Sequence, residues 1–221
     1  NTTSAYNGPE NQTAADGFAF ESGEEIYVER CRAIGNAGDG FDFKSDITRI
    51  ARSIAWGNDR DGIKLWGAGS TLENSIARDN YLAGVVLAEG GTYTLTNNIV
   101  AHNAVEVGNY GMYVAYDPPA TADLKLFNNI FAFNGSSVYF GEHVSLTADH
   151  NIYYSREDSE IQAAFTARFD YSRDDINMGV WFQETGNGRY SGSVDPRFVD
   201  GAGRDYHSQP DSPAIDSGSN A

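Results

Sequence analysis

The chain is short of several things, and each shortage removes a class of protein. It has one cysteine, Cys31, so no intrachain disulfide can staple it. No apolar run approaches the roughly 20 residues that a membrane-spanning helix needs. Basic residues are scarce: 15 Lys and Arg stand against 31 Asp and Glu, for a formal net charge of −16. Phosphate-rich partners, nucleic acids and anionic membranes, are therefore excluded as expectations, because they bind through clustered Lys and Arg. No EF-hand loop is present, and His102, His143, His150 and His207 have no metal-ligand spacing. What the chain does have is 40% hydrophobic residues over 221 positions, enough for one domain with a real core. Its polar opening, NTTSAYNGPENQ, reads as the start of a mature or excised chain.

The chain repeats itself. In ADGFAF, GDGFDF, RDGIKL and LAGVVL the glycines Gly17, Gly40, Gly62 and Gly84 are 23, 22 and 22 residues apart. Gly111 in NYGMYV continues the series, and Ser137 in GSSVYF is a weaker sixth member. A second column runs beside it through Asn36, Asn58, Asn80, Asn103 and Asn134. Five residues before each of these stand Cys31, Ser53, Ser75, Asn98 and Asn129, and Asn151 extends that column. A period near 22 with short alternating strands predicts a parallel β-helix of about six coils, three strands and three turns to a coil. The Asn and Ser columns predict stacked side-chain hydrogen bonds at the bends.

Alternation within the first strand predicts two inward columns, from Phe18 through Phe41, Ile63, Val85, Met112 to Val138, and from Phe20 through Phe43, Leu65, Leu87, Val114 to Phe140. Ala19, Asp42, Lys64, Val86, Tyr113 and Tyr139 then face solvent, with Glu21, Lys44 and Trp66 one step further along. Coils fill residues 1–155. Residues 156–221 form an irregular extension of the same domain, with helix-like or irregular patches such as EIQAAFTARF and NMGVWFQETG. The polar DPRFVDGAGRDYHSQPDSPAID is expected to cover the last coil, whose open strand edges need protection.

Asp16, Asp39 and Asp61 precede the aligned glycines, and Asp42 shares a strand with Asp39. Such a carboxylate cluster either forms turns at a solvated edge or holds a hard cation, calcium before magnesium. Lys64 either pairs with Asp42 or Asp61 or serves as a base beside a metal. Trp66, Tyr113 and Tyr139 are candidates to stack on sugar rings or to pack beneath a loop, and Lys44 to bind a substrate carboxylate or a surface acid. Arg30 and Arg52 share a ladder position as solvated edge charges, and Cys31 is expected to be a buried structural thiol.

AADGFAF, GDGFDF and DGIKLWG resemble the active-site strands of the family 9 polysaccharide lyases, calcium-dependent pectate lyases on a right-handed parallel β-helix. The likeness covers residues 12 to 67. It implies calcium ligands at Asp16, Asp39 and Asp42 and a catalytic lysine at Lys64. Gly38 stands where the family has an aspartate, which leaves Asp61 or Asp59 to replace that ligand, or a weaker site. The coil between Asp42 and Lys64 lacks the family's long loops, and the chain is far shorter than typical members. The implied reaction is β-elimination on a polyuronate, with polygalacturonate the first substrate to try: calcium neutralises the sugar carboxylate and neutral Lys64 removes the C5 proton. The resemblance also implies secretion, from a bacterial source, with a monomer as the default. The rival expectations are a β-helix that binds polysaccharide without turnover, a spacer or adhesin domain, and an epimerase or glycosidase on the same scaffold. A glycosidase would take two of Asp39, Asp42 and Asp61 as its carboxyl pair.

Overall fold

A computed structural model describes residues 1–8, 15–67, 69–104, 110–114, 121–156, 159–201, 203 and 205–219. Three sheets, of eight, six and seven strands, wrap a single core. Each coil contributes one short strand to each sheet. The first full coil supplies Phe18–Phe20, Glu25–Glu29 and Arg32–Ile34; the next supplies Phe41–Phe43, Ile47–Ala51 and Ile54–Trp56. Four more coils follow, and their strands pair in parallel with those before them. Three-residue strands suffice because every backbone group in a coil finds its partner one coil away, not within its own segment.

The registers match the repeat. Phe18, Phe41, Ile63, Val85, Met112 and Val138 are successive partners in the first sheet. From the second coil onward this column is fully buried, and so are Phe43, Leu65 and Leu87 beside it. The first coil differs. Phe20 is 41% exposed, although the alternation predicts an inward position, because no described coil lies on its far side. Phe18 stacks on Phe41 at 5.1 Å and Phe20 packs tilted on Phe43 at 4.9 Å, so among the described residues each ring is covered from the second-coil side.

Both side-chain ladders form. Asn36, Asn58 and Asn80 each donate their backbone N–H and their amide N–H to the Oδ1 of the next ladder Asn, at 3.1 and 2.8 Å. Asn103 continues this to Asn134. Asn7 starts the column, donating its backbone N–H to Asn36 Oδ1. The second ladder passes from Cys31 through Ser53, Ser75, Asn98 and Asn129 to Asn151, and Ser191 closes it. Cys31 is only half-buried, at the open end of its ladder. The ladder explains one glycine requirement: a Cβ on Gly62 would stand 2.5 Å from Asn80 Nδ2.

The C-terminal part departs from expectation in two places. EIQAAFTARF is not helical. Ser159–Ala163 extends the first sheet as a further parallel strand, and the chain then doubles back as the antiparallel strand Phe169–Ser172. A repeat that stops leaves a strand edge to cover, and that need overrides the local helical propensity. Two short helices follow, Arg173–Asn177 and Val180–Thr185, the first opened by a Ser172–Asp175 capping box. Trp181 is buried against Phe140, Phe165 and Tyr171 and closes the core. Fully buried Glu160 pins this cap, accepting from Ser137 Oγ, Ser155 N, Arg173 Nε and Ser193 Oγ.

The closing segment does not cover the last coil either. Its hairpin, Phe198–Asp200 with Asp205–Ser208, lies along the outside of the third sheet. There Phe198 and Tyr206 pack on Ala101 and Ala132. Small residues at those two outward positions leave room for the aromatic rings. The segment is tied down further on, where Ser219 exchanges two hydrogen bonds with Asn128.

Candidate functional site

The outer face of the first sheet carries the charged cluster. Asp42 and Lys64 are register partners on adjacent coils. Alternation alone would leave both in water, but only 7% of Asp42 is exposed. Trp66 explains this. Its indole N–H donates to Asp42 Oδ1 at 2.6 Å, which folds the ring back over the preceding coil. The Nζ atoms of Lys64 and Lys44 lie 5.0 and 5.6 Å from the indole centroid, so two ammonium groups share one aromatic ring. Lys44 also pairs with Glu21 at 2.7 Å and lies 3.8 Å from Asp42 Oδ2. Val86, next in the outward column, is buried as well.

Asp16, Asp39 and Asp61 form a third ladder. Asp16 Oδ1 accepts from the backbone N–H of Asp39, Asp39 Oδ1 from that of Asp61, and Asp61 Oδ1 from that of Ala83. Lys64 Nζ is 3.6 Å from Asp39 Oδ2, so its ion pair is with Asp39 where the sequence suggested Asp42 or Asp61, although its charge also acts on both of those carboxyls. Arg60 approaches from the turn, with Nε 3.6 Å from Asp39 Oδ1. Burial holds the Asp16 and Asp42 carboxyls above the ordinary aspartate range. Asp61 is pushed up to about 6, first by burial and then by the charge of Asp39. Tyr113 is raised to about 12, mainly by burial, with the charges of Asp61 and Asp39 adding to it.

The structure thus brings Asp16, Asp39, Asp42, Asp61, Lys44, Lys64 and Trp66 onto one face. Tyr113 stands two strands beyond Lys64, with Val86 between them. Asp59 is exposed on the turn. Arg60 is the residue that sequence reasoning passed over. Its signal was a cation inside the acidic triplet Asp59-Arg60-Asp61, just before a repeat glycine.

The oxygen donors suit a hard cation in kind. Their arrangement does not. One oxygen of each ladder aspartate is committed to a backbone N–H, Asp42 is committed to Trp66, and Lys64 and Lys44 occupy the outward side. Among the described residues no group of three or more His, Cys, Asp or Glu side chains is placed to hold a metal ion.

A family model described as a right-handed beta helix region matches residues 12–171. No curated protein and no solved structure matches the chain.

Proposed function

Because the chain belongs to the right-handed β-helix family, a fold common to pectate lyases and other carbohydrate-active or carbohydrate-binding proteins, we propose that it is a polysaccharide lyase that cleaves a polyuronate by β-elimination, with Lys64 as the base. The observation that carries this reading is the setting of Lys64: its amine is held 3.6 Å from Asp39 and 5.0 Å from the Trp66 ring, beside a cluster of four aspartates. A surface lysine needs no such enclosure, whereas a proton-abstracting amine needs a fixed position beside its substrate.

In this reading Lys64, as the free amine, takes the C5 proton of a uronate. The electron pair forms the C4–C5 double bond, the C4–O bond breaks, the leaving oxygen is protonated by water, and the hydroxide so formed takes the proton from Lys64 and restores its free amine. Lys44 and Arg60 supply positive charge for the sugar carboxylate as negative charge builds on it. Asp39 holds Lys64 in place through this cycle, and Trp66 offers a flat face to a sugar ring. Secretion, an acidic polysaccharide partner and a monomeric state go with this proposal. Calcium enters it as a variable of the test, with no step assigned to the ion.

The test is ultraviolet absorbance of the unsaturated product during incubation with polygalacturonate and other polyuronates, with added calcium and with chelator. Wild type is expected to give a rise that Lys64→Ala lowers by at least about 100-fold. No rise on any polyuronate from protein that is folded by circular dichroism would sink the lyase and leave a polysaccharide-binding β-helix. New reducing ends without unsaturation would turn the reading to a glycosidase.

A further inference from the structure

The outer face of the first sheet changes character beyond Lys64. From residue 65 to residue 155 the chain has only two Lys or Arg residues, Arg78 and Lys125. Arg78 lies on the third sheet against Trp56 and Lys125 on the second, so neither reaches this face. Arg156 follows, but its guanidinium is committed to the carbonyls of Asn103 and Ala104. The outward column itself reads Lys64, Val86, Tyr113, Tyr139, Gln162 in register. Tyr139 is flanked by Tyr110 at 5.2 Å and by Phe169 at 6.4 Å, and Phe169 is 43% exposed. Tyr110 donates its hydroxyl to Gln162 Oε1 at 2.5 Å, which fixes the edge of this aromatic cluster.

With coils about 4.8 Å apart, the cluster begins roughly 10 Å from Lys64 along the helix axis. A polymer lying along that axis sets one sugar among Lys44, Arg60 and Lys64, and its next sugars on the tyrosines. A homopolyuronate would then place carboxylates on a face where Arg168, next to Phe169 in the chain, is already paired with Asp175, in a protein of net charge −16. Each would lose water without gaining a partner. The geometry points to a substrate in which the uronate at the cleavage position is followed by uncharged sugars, neutral or esterified, with Tyr113, Tyr139 and Phe169 as their platform. This rests on the lyase reading for the position of the reacting uronate, and it replaces fully ionised polygalacturonate as the preferred substrate.

Calorimetric binding to the Lys64→Ala variant avoids turnover during the measurement. The probes are oligogalacturonates of one length, fully ionised or partly methyl-esterified, at low salt and at physiological salt. The partly esterified oligomer is expected to bind more tightly, by the larger margin at low salt, where repulsion is least screened. Adding Tyr139→Ala is expected to weaken its binding about 5- to 10-fold, while Tyr139→Phe keeps it, which separates lost stacking from lost folding. Tightest binding of the fully ionised oligomer, no effect of Tyr139→Ala, or no binding of either oligomer would overturn the inference. Elimination by wild type is followed in parallel. Esterified-oligomer binding without elimination sinks the lyase reading alone, and elimination that favours the fully ionised polymer sinks this inference alone.

Discussion

Two columns of polar side chains climb the same helix, one of asparagines and one of aspartates, and they divide structure from chemistry. The asparagine column runs from Asn7 to Asn134. An amide both donates and accepts, so each Asn passes a hydrogen bond to the next and the column is neutral and closed at every step. The aspartate column covers only three coils and runs the other way, each carboxylate accepting a backbone N–H from the coil that follows. A carboxylate has no donor to hand on. Its second oxygen stays charged, and at Asp39 that oxygen faces Lys64. The chain uses amides where a coil must be held and carboxylates where a coil must present charge.

The sharpest way to break this division is Asn80→Ala. It strips Asn58 N of its acceptor, leaves Asn58 Nδ2 with only Ala33 O at 3.4 Å, and leaves Asn103 Oδ1 with only the backbone N–H of residue 80, all in a buried column. With one donor stranded at about 1–3 kcal/mol and two further bonds lost, a loss of roughly 2–4 kcal/mol is expected in urea unfolding. A cost under 1 kcal/mol would mean that the ladder is not structural.

Converting one column into the other tests it from the opposite side. Asp61→Asn keeps the acceptor for Ala83 N–H and removes the charge. The folded carboxyl sits at about 6 against an ordinary 3.8. Below pH 3.8 both states hold the proton and there is no penalty. Between 3.8 and about 6 the unfolded chain ionises first, so the wild type loses stability as pH rises, and above 6 the penalty is complete. Asp61→Asn should therefore stabilise the protein by up to about 3 kcal/mol at pH 7 and by almost nothing below pH 4, measured by denaturant unfolding in chelator. An equal effect at both pH values would sink the electrostatic account.

The smallest change is expected at the start of the Cys/Ser/Asn ladder. Cys31 Sγ reaches Glu29 O as Ser53 Oγ reaches Ala51 O and Ser75 Oγ reaches Glu73 O. Cys31→Ser should thus shift stability by no more than about 0.5 kcal/mol. A loss above 1 kcal/mol would show that the position packs as a thiol and not as a ladder hydroxyl.

Much of this architecture is written in the chain, because a solenoid repeats its local rules. The 22-residue period fixes the coils, alternation fixes which of Phe41, Asp42 and Phe43 face the core, and the spacing of Asn36, Asn58 and Asn80 exposes the ladder. Legibility ends where one residue leans on another outside the period. Nothing in the spacing says that Trp66 folds back onto Asp42, so a solvent-facing position became a buried one. Arg60 sits in a turn that the period treats as filler. The cap was misread because a terminal coil obeys the need to cover an edge, not the repeat. The path of Phe198 and Tyr206 was hidden because small residues at Ala101 and Ala132 carry no signal until something packs on them.

The asparagine column also has an uneven rung count. From Asn36 on, successive members are 22, 22, 23 and then 31 residues apart, yet the backbone bonds between them stay at 2.9–3.1 Å. The ladder therefore works as a metronome for the chain: extra sequence between Asn103 and Asn134 changes neither the beat nor the register of the coils on either side. Such a coil is open to lengthening or exchange with the rest of the molecule left in step.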